Sequence, residues 1–175
     1  MPREQWSIRP AKPGDFEATY GVHAAAFPED AEARLVELLH QRGKADISLV
    51  AVLDGAVVGH VLFSPITISR NGVEVAKGLG LAPVAVRPQF QRQGIGKSLI
   101  HRGLEVCRQR QCPLVVVLGD PRYYQQFGFR RASDLGFQNE YQADESFMVL
   151  ELQKDGLPVV GGLVRYASEF SEMQV

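Results

Sequence analysis

Apolar positions recur at helical spacing through the middle of this chain. Ile95, Leu99, Gly103 and Val106 follow one helix face, flanked by Ile100, Leu104 and Cys107. Just upstream, Leu81 to Val86 reads as a strand, and Pro88 stops it because proline has no N–H for a ladder and fixes its own φ. The helix must end before Pro113. Toward the N-terminus, Trp6 to Arg9 reads as a short strand. Asp15 is placed to cap a helix running to about Phe27, which Pro28 breaks. Glu29, Asp30 and Glu32 put negative charge at the favourable start of a second helix. Leu35, Val36, Leu38 and Leu39 form its apolar face, and Gly43 can end it.

Ser48 to Leu53, Ala56 to Ser69 and the run from Val75 onward read as three strands. Asp54-Gly55 and Asn71-Gly72 between them are hairpin turns. They predict an antiparallel meander. The helix then crosses to Leu114–Leu118, LVVVL, a short β-branched run suited to a buried parallel strand. Asp120-Pro121 leads into a short helix over Arg122 to Phe127, Gly128 ends it, and Phe129 begins another strand. Phe147 to Leu152 is a further strand, and Leu157 to Tyr166 is β-prone. Pro83 is awkward within a central strand, since it removes one ladder hydrogen bond.

Gln91, Arg92, Gln93, Gly94, Ile95 and Gly96 join the central strand to its helix. A helix N-terminus leaves backbone N–H groups unpartnered at the positive end of its dipole. Glycines at 94 and 96 would let a bulky anion approach them, and Arg92 and Lys97 add positive charge. The turn suits a phosphate or pyrophosphate; an ordinary close-packed connection is the other reading. Gly96-Lys97-Ser98 matches the second half of a Walker loop, but the first glycine would fall on Gln91. A Rossmann fingerprint fails at its third glycine, which is Leu99.

Gln91-x-x-Gly94-x-Gly96 after a strand ending Ala85-Val86 resembles the acetyl-CoA-binding motif of the GCN5-related N-acetyltransferase (GNAT) superfamily. The likeness runs from Ile8 to Leu152, and VVGHVLFSP, GLGLAPVAV and LGDPRYYQQFGF resemble a bacterial subgroup of N-acetyltransferases. It implies an α/β fold with a mixed, mostly antiparallel sheet that splays between strands four and five, where Pro83 is tolerable, and is flanked by helices. It also implies a 1–155 acetyltransferase domain with a C-terminal extension, 156–175, packed on it. Val84, Ala85, Val86 and the segment Gln91, Arg92, Gln93, Gly94, Ile95, Gly96, Lys97 and Ser98 would hold acetyl-CoA, the acetyl donor. A backbone N–H near Val84 to Val86 would meet the oxyanion. Tyr124, four residues before Gly128, matches the family tyrosine that protonates the CoA sulfur, while Tyr123 is expected to pack. A non-catalytic acyl-CoA-binding module would need the turn but not Tyr124.

The general base is not carried over. Some relatives have a glutamate on strand four, at a position that falls on Gly80 here. Glu74 is too far back, which leaves Asp120, His60 or water. Gly119-Asp120-Pro121 replaces the asparagine many relatives carry, so the adenosine-side contacts are not transferred. Acceptor specificity is expected from Phe27 to Glu32 and Phe137 to Ser146. Their Glu29, Asp30, Glu32, Glu140, Asp144 and Glu145 would either be solvated or attract a cationic amine.

Composition narrows the remaining classes. With 175 residues and 45% apolar content, the chain suits one domain with a sizeable core. A net charge of −1 gives no global field for nucleic acid or an anionic membrane. Cys107 and Cys112 lack metal-ligand spacing and read as unpaired packing residues of a reduced, cytoplasmic compartment, so no metal is expected. The expected partners are acetyl-CoA and a small-molecule or peptide amine, with a homodimer admitted.

Overall fold

Strand edges and turns follow the local chemistry closely. The computed structural model describes residues 5–157 and 161–175. Its strands are β1 (Ser7–Pro10), β2 (Ile47–Leu53), β3 (Ala56–Arg70), β4 (Val73–Val86), β5 (Leu114–Leu118), β6 (Arg130–Arg131), β7 (Phe137–Asn139), β8 (Phe147–Glu151) and β9 (Gly162–Arg165). Its α-helices are α1 (Phe16–Ala26), α2 (Ala31–Gln41), α3 (Ile95–Gln109), α4 (Pro121–Tyr124) and α5 (Glu169–Glu172). Asp54 and Gly55 take φ of 50° and 78°, and Asn71 and Gly72 take 51° and 77°, so both hairpins turn with two left-handed residues.

The chain forms two compact units. The first holds the residues up to Phe63, Pro83–Glu105 and Ser168–Val175. In it β1, β2 and the first half of β3 pair antiparallel, from Ser7 opposite Val52 to Ile47 opposite Phe63. Val22, Leu35, Val36, Leu39, Val50, Leu62, Phe63, Ile95 and Leu99 make its core. Gly59 on β3 is what brings α3 close. A Cβ there would stand 3.1 Å from both Ile95 Cγ2 and Leu99 Cδ1. The last turn of α2 closes as read, with Gly43 at φ 69° and Lys44 N–H donating to Leu39 O at 2.8 Å.

The second unit holds Ser64–Ala82 and Val106–Ala167. Here the strand order runs β3-β4-β5-β8-β6, with β9 on the other edge of β3 and β7 on β9. The β4–β5 pair is parallel and registers only Leu79 with Val115 and Gly80 with Val116. β5 pairs with β8 along its whole length, antiparallel. So β4 leaves β5 after two rungs and continues to Val86, through Pro83, as the expected splay requires. The sheet is mixed, mostly antiparallel and accompanied by helices, as the GNAT resemblance implies.

Several expectations need correction. Asp15 does not cap α1 with its side chain. Its carboxylate instead takes Arg9 at 2.6 and 2.9 Å and the Lys12 N–H at 2.7 Å, because Pro13–Asp15 form a 3-10 turn ahead of α1. The strand expected from Phe129 shrinks to Arg130–Arg131. Of the β-prone stretch Leu157 to Tyr166, Gly162–Arg165 is strand, and residues 158–160 lie outside the described residues. No helix among the described residues is long and apolar enough to cross a membrane.

Candidate active site

The turn before α3 is held from inside. Gln91 Nε2 donates to Val86 O at 2.9 Å, tying the turn back to the end of β4. Arg87 N–H donates to Val58 O at 2.8 Å, so the exit of β4 is also fixed on β3. Arg92 then takes φ 63° and Gly94 φ 93°. Left-handed residues at such a strand-to-helix turn are one means by which backbone N–H groups are turned toward a common side, an arrangement that suits an anion. Ser98 N–H donates to Gly94 O at 3.0 Å, opening the helical ladder. The N–H groups of Ile95, Gly96 and Lys97 consequently have no partner within the helix. Ile95 is buried, whereas Gln91, Arg92, Gln93, Gly94 and Lys97 are exposed. The sequence-predicted residues Val84, Ala85, Val86 and Gln91–Ser98 thus share one unit, with the buried ends of β4 and α3 beneath an exposed cationic turn.

Tyr124 belongs to the other unit. It closes α4, is 8% exposed, and meets Tyr123, Phe127 and Phe129 at ring distances of 5.0, 6.2 and 5.8 Å. Gly119 makes room for it, since a Cβ there would lie 2.3 Å from the Tyr124 ring. Burial, with a smaller push from Tyr123, raises the Tyr124 phenol to about 12. It therefore stays protonated at neutral pH and is available as a proton or hydrogen-bond donor. Tyr123 is 38% exposed.

The candidates for a base fare differently. Asp120 is exposed and its Oδ1 accepts the Arg122 N–H at 2.9 Å, so it serves as the N-cap of α4. Gly80 has no space for a carboxylate. A Cβ there would be 2.7 Å from Tyr166 Cε1 and 3.1 Å from Ile66 Cγ2. Tyr166, at the end of the β-prone stretch, fills that place with a buried phenol whose acidity burial suppresses. Nothing in the local pattern around Tyr166 signals this, because the contact joins positions far apart in the chain. His60 is fully buried, but it is not alone. His23 Nε2 lies 2.8 Å from its Nδ1.

Of the acidic candidates, Asp30 Oδ2 accepts the Tyr20 hydroxyl at 3.2 Å and Glu140 Oε1 accepts the Tyr166 N–H at 3.0 Å. In the second unit Gln138, Asn139, Glu140, Gln142, Asp144 and Leu163 line an open cavity of about 470 Å³. Among the described residues no group of three or more His, Cys, Asp or Glu side chains could hold a metal ion. Cys107 and Cys112 are buried and carry no disulfide.

A family model for an acetyltransferase (GNAT) domain matches residues 7–132. The uncharacterized N-acetyltransferase YhbS of Escherichia coli K12 is 35% identical over 166 residues, covering 94% of this chain and 98% of the relative. The uncharacterized N-acetyltransferase YjhQ of the same organism is 36% identical over 127 residues, 71% of this chain and 70% of its own. A crystal structure of Escherichia coli YhbS in complex with CoA superposes with a TM-score of 0.90, covering 98% of this chain and 94% of that one. A GNAT family acetyltransferase from Brucella melitensis, solved with acetyl-CoA, gives 0.78 at 34% identity and covers 96% and 99%. Matched by the family model over most of its length and by a full-length relative at this identity, the chain belongs to the GNAT acetyltransferase family.

Proposed function

We propose that this chain transfers the acetyl group of acetyl-CoA to a primary amine of a small molecule or peptide by direct attack. The turn carries the reading: Arg92 and Gly94 with positive φ, locked by Gln91 to Val86 O, at the N-terminus of α3. That geometry suits the pyrophosphate of CoA, which the relatives from Escherichia coli and Brucella melitensis bind as CoA and acetyl-CoA. In the reaction the neutral amine attacks the thioester carbonyl. A backbone N–H near Val84 to Val86 receives the oxyanion, and the thiolate departs. Tyr124 hydrogen-bonds that sulfur. With a phenol near 12 and a thiol near 8.5, complete proton transfer is uphill by roughly 5 kcal/mol, so its aid is chiefly a hydrogen bond to developing charge. Glu140 and Asp144 on the 470 Å³ cavity suit a cationic acceptor. Residues 1–155 form the acetyltransferase domain and 156–175 its extension. Two unbridged buried cysteines suit a cytoplasmic setting.

The test is calorimetry with acetyl-CoA, CoA, NAD and ATP with Mg²⁺, followed by thiol release across a panel of amines. Binding of acetyl-CoA and CoA alone, abolished in Gly96→Asp with the fold retained, is the expected result. Unchanged affinity in Gly96→Asp refutes the phosphate turn. Binding without thiol release from any amine refutes the transferase.

A further inference from the structure

Three histidines and a serine from four different elements form one hydrogen-bonded row in the first unit. His23 on α1 meets His60 on β3 through Nε2 and Nδ1 at 2.8 Å. His60 Nε2 meets Ser48 Oγ on β2 at 2.7 Å. Ser48 Oγ meets His40 Nε2 on α2 at 2.9 Å. His40 Nδ1 lies 2.9 Å from the Val36 carbonyl oxygen. At the other end, His23 Nδ1 is buried and has no hydrogen-bond partner among the described residues.

One atom sets the direction of the whole row. The Val36 carbonyl can only accept, so His40 Nδ1 must carry a proton. In neutral His40 the Nε2 is then an acceptor, and the Ser48 hydroxyl donates to it. Ser48 Oγ in turn accepts from His60 Nε2–H. That leaves His60 Nδ1 as an acceptor for His23 Nε2–H, and His23 Nδ1 with a bare lone pair. Every link is satisfied in one sense only.

Adding a proton reverses the row. If His40 becomes an imidazolium, its Nε2–H donates to Ser48, whose hydroxyl must swing to His60 Nε2. His60 must then carry its proton on Nδ1 and donate to His23 Nε2, and His23 must carry its own on Nδ1. The balance is one proton gained. It bonds to His23 Nδ1, the His23 Nε2–H passes to His60 Nδ1, the His60 Nε2–H passes to Ser48, and the Ser48 hydroxyl proton passes to His40 Nε2.

The charge belongs on His40. His23 and His60 are 0% exposed, whereas His40 is half-buried and lies in the last turn of α2, where helix carbonyls favour a cation. The other groups facing the row do not supply a rival site. Phe16 covers His40 at 4.2 Å and Phe27 stacks on His23 at 6.1 Å. Asp15, the carboxylate that acts on His60, is already paired with Arg9 at 2.6 Å. We propose that His23, His60, Ser48 and His40 form a proton relay that takes up one proton and holds its charge on His40 by reversing the tautomers of His60 and His23.

This goes beyond acetyl transfer, and its test does not depend on it. The full chain, labelled with ¹⁵N-histidine, is followed by long-range ¹H–¹⁵N correlation from pH 8 downward. At pH 8 the protons should sit on His40 Nδ1, His60 Nε2 and His23 Nε2. As His40 titrates, His60 should move its proton to Nδ1 with the same midpoint while remaining neutral. In Ser48→Ala, His40 should titrate without any change at His60, and Ser48→Thr, which keeps the hydroxyl, should restore the coupling. Three results overturn the relay: His60 keeping Nε2–H while wild-type His40 titrates, His23 or His60 becoming the cation, or all three rings staying neutral until the fold is lost. If Ser48→Ala fails to fold, the wild-type titration alone decides.

Discussion

Gly94→Ala adds one methyl group to a residue whose φ is 93°. The methyl has room, since the nearest atoms, on the Trp6 ring, would be 4.0 Å away. Any cost is therefore conformational, not steric crowding. An L-residue in the left-handed region is disfavoured by about 1–2 kcal/mol. That cost can surface in two ways. If the turn keeps its shape, it lowers unfolding free energy by about 1–2 kcal/mol and leaves CoA affinity alone. If the turn relaxes, the backbone of the Arg92–Gly96 segment leaves the shape that the proposed phosphate site needs, and affinity for CoA falls by about 5-fold to 30-fold, the same energy expressed in binding. Asparagine tolerates positive φ, so Gly94→Asn should lose distinctly less than Gly94→Ala. The assay is CoA calorimetry at fixed salt alongside urea denaturation of each variant, so that the sum of the two losses is measured. Asn and Ala variants that both match wild type in stability and affinity, or that lose equally, would refute the claim that positive φ at Gly94 is what the turn requires.

Tyr124→Phe should lower kcat with acetyl-CoA affinity nearly unchanged, because the ring packing on Tyr123, Phe127 and Phe129 survives and only the hydroxyl is lost; full-speed turnover, with chemistry shown to be rate-limiting, removes the tyrosine from the mechanism. The buried histidines should make the protein acid-sensitive. His23 is held down to about 4, by burial first and by His40 second, against an ordinary 6.5. Between those values the unfolded chain binds a proton that the folded chain resists, so stability is complete above the unfolded value and falls by about 3 kcal/mol as pH drops to the folded one. Urea midpoints measured from pH 7.5 to 4 check this. A flat profile, or the same slope in His23→Gln, would contradict it.

Much of the fold was legible because it rests on local chemistry. The turns Asp54-Gly55 and Asn71-Gly72, the helix stop at Gly43 and the run LVVVL each depend on backbone preferences or periodicity within a few residues. The turn between β4 and α3 was legible for the same reason, since glycine spacing, a preceding strand and a following helix are all contiguous. Asp15 shows the limit of such reasoning. Its neighbours in sequence suggest a helix cap, and its carboxylate instead bonds Arg9.

What the sequence by itself determined is the family, the order of elements, and the place of the turn from Gln91 to Ser98. What only the tertiary structure decided is the use of residues whose partners lie far along the chain. Gly80 reads as a missing carboxylate, and the fold shows why none fits, because Tyr166 stands there. His60 reads as a lone strand histidine, yet it bonds His23, 37 positions earlier, and Ser48, 12 positions earlier. The physical reason is that periodicity encodes which way a side chain faces but not what meets it across the core. Burial makes an unmet polar group costly, and only the packing of separate helices and strands brings such groups together.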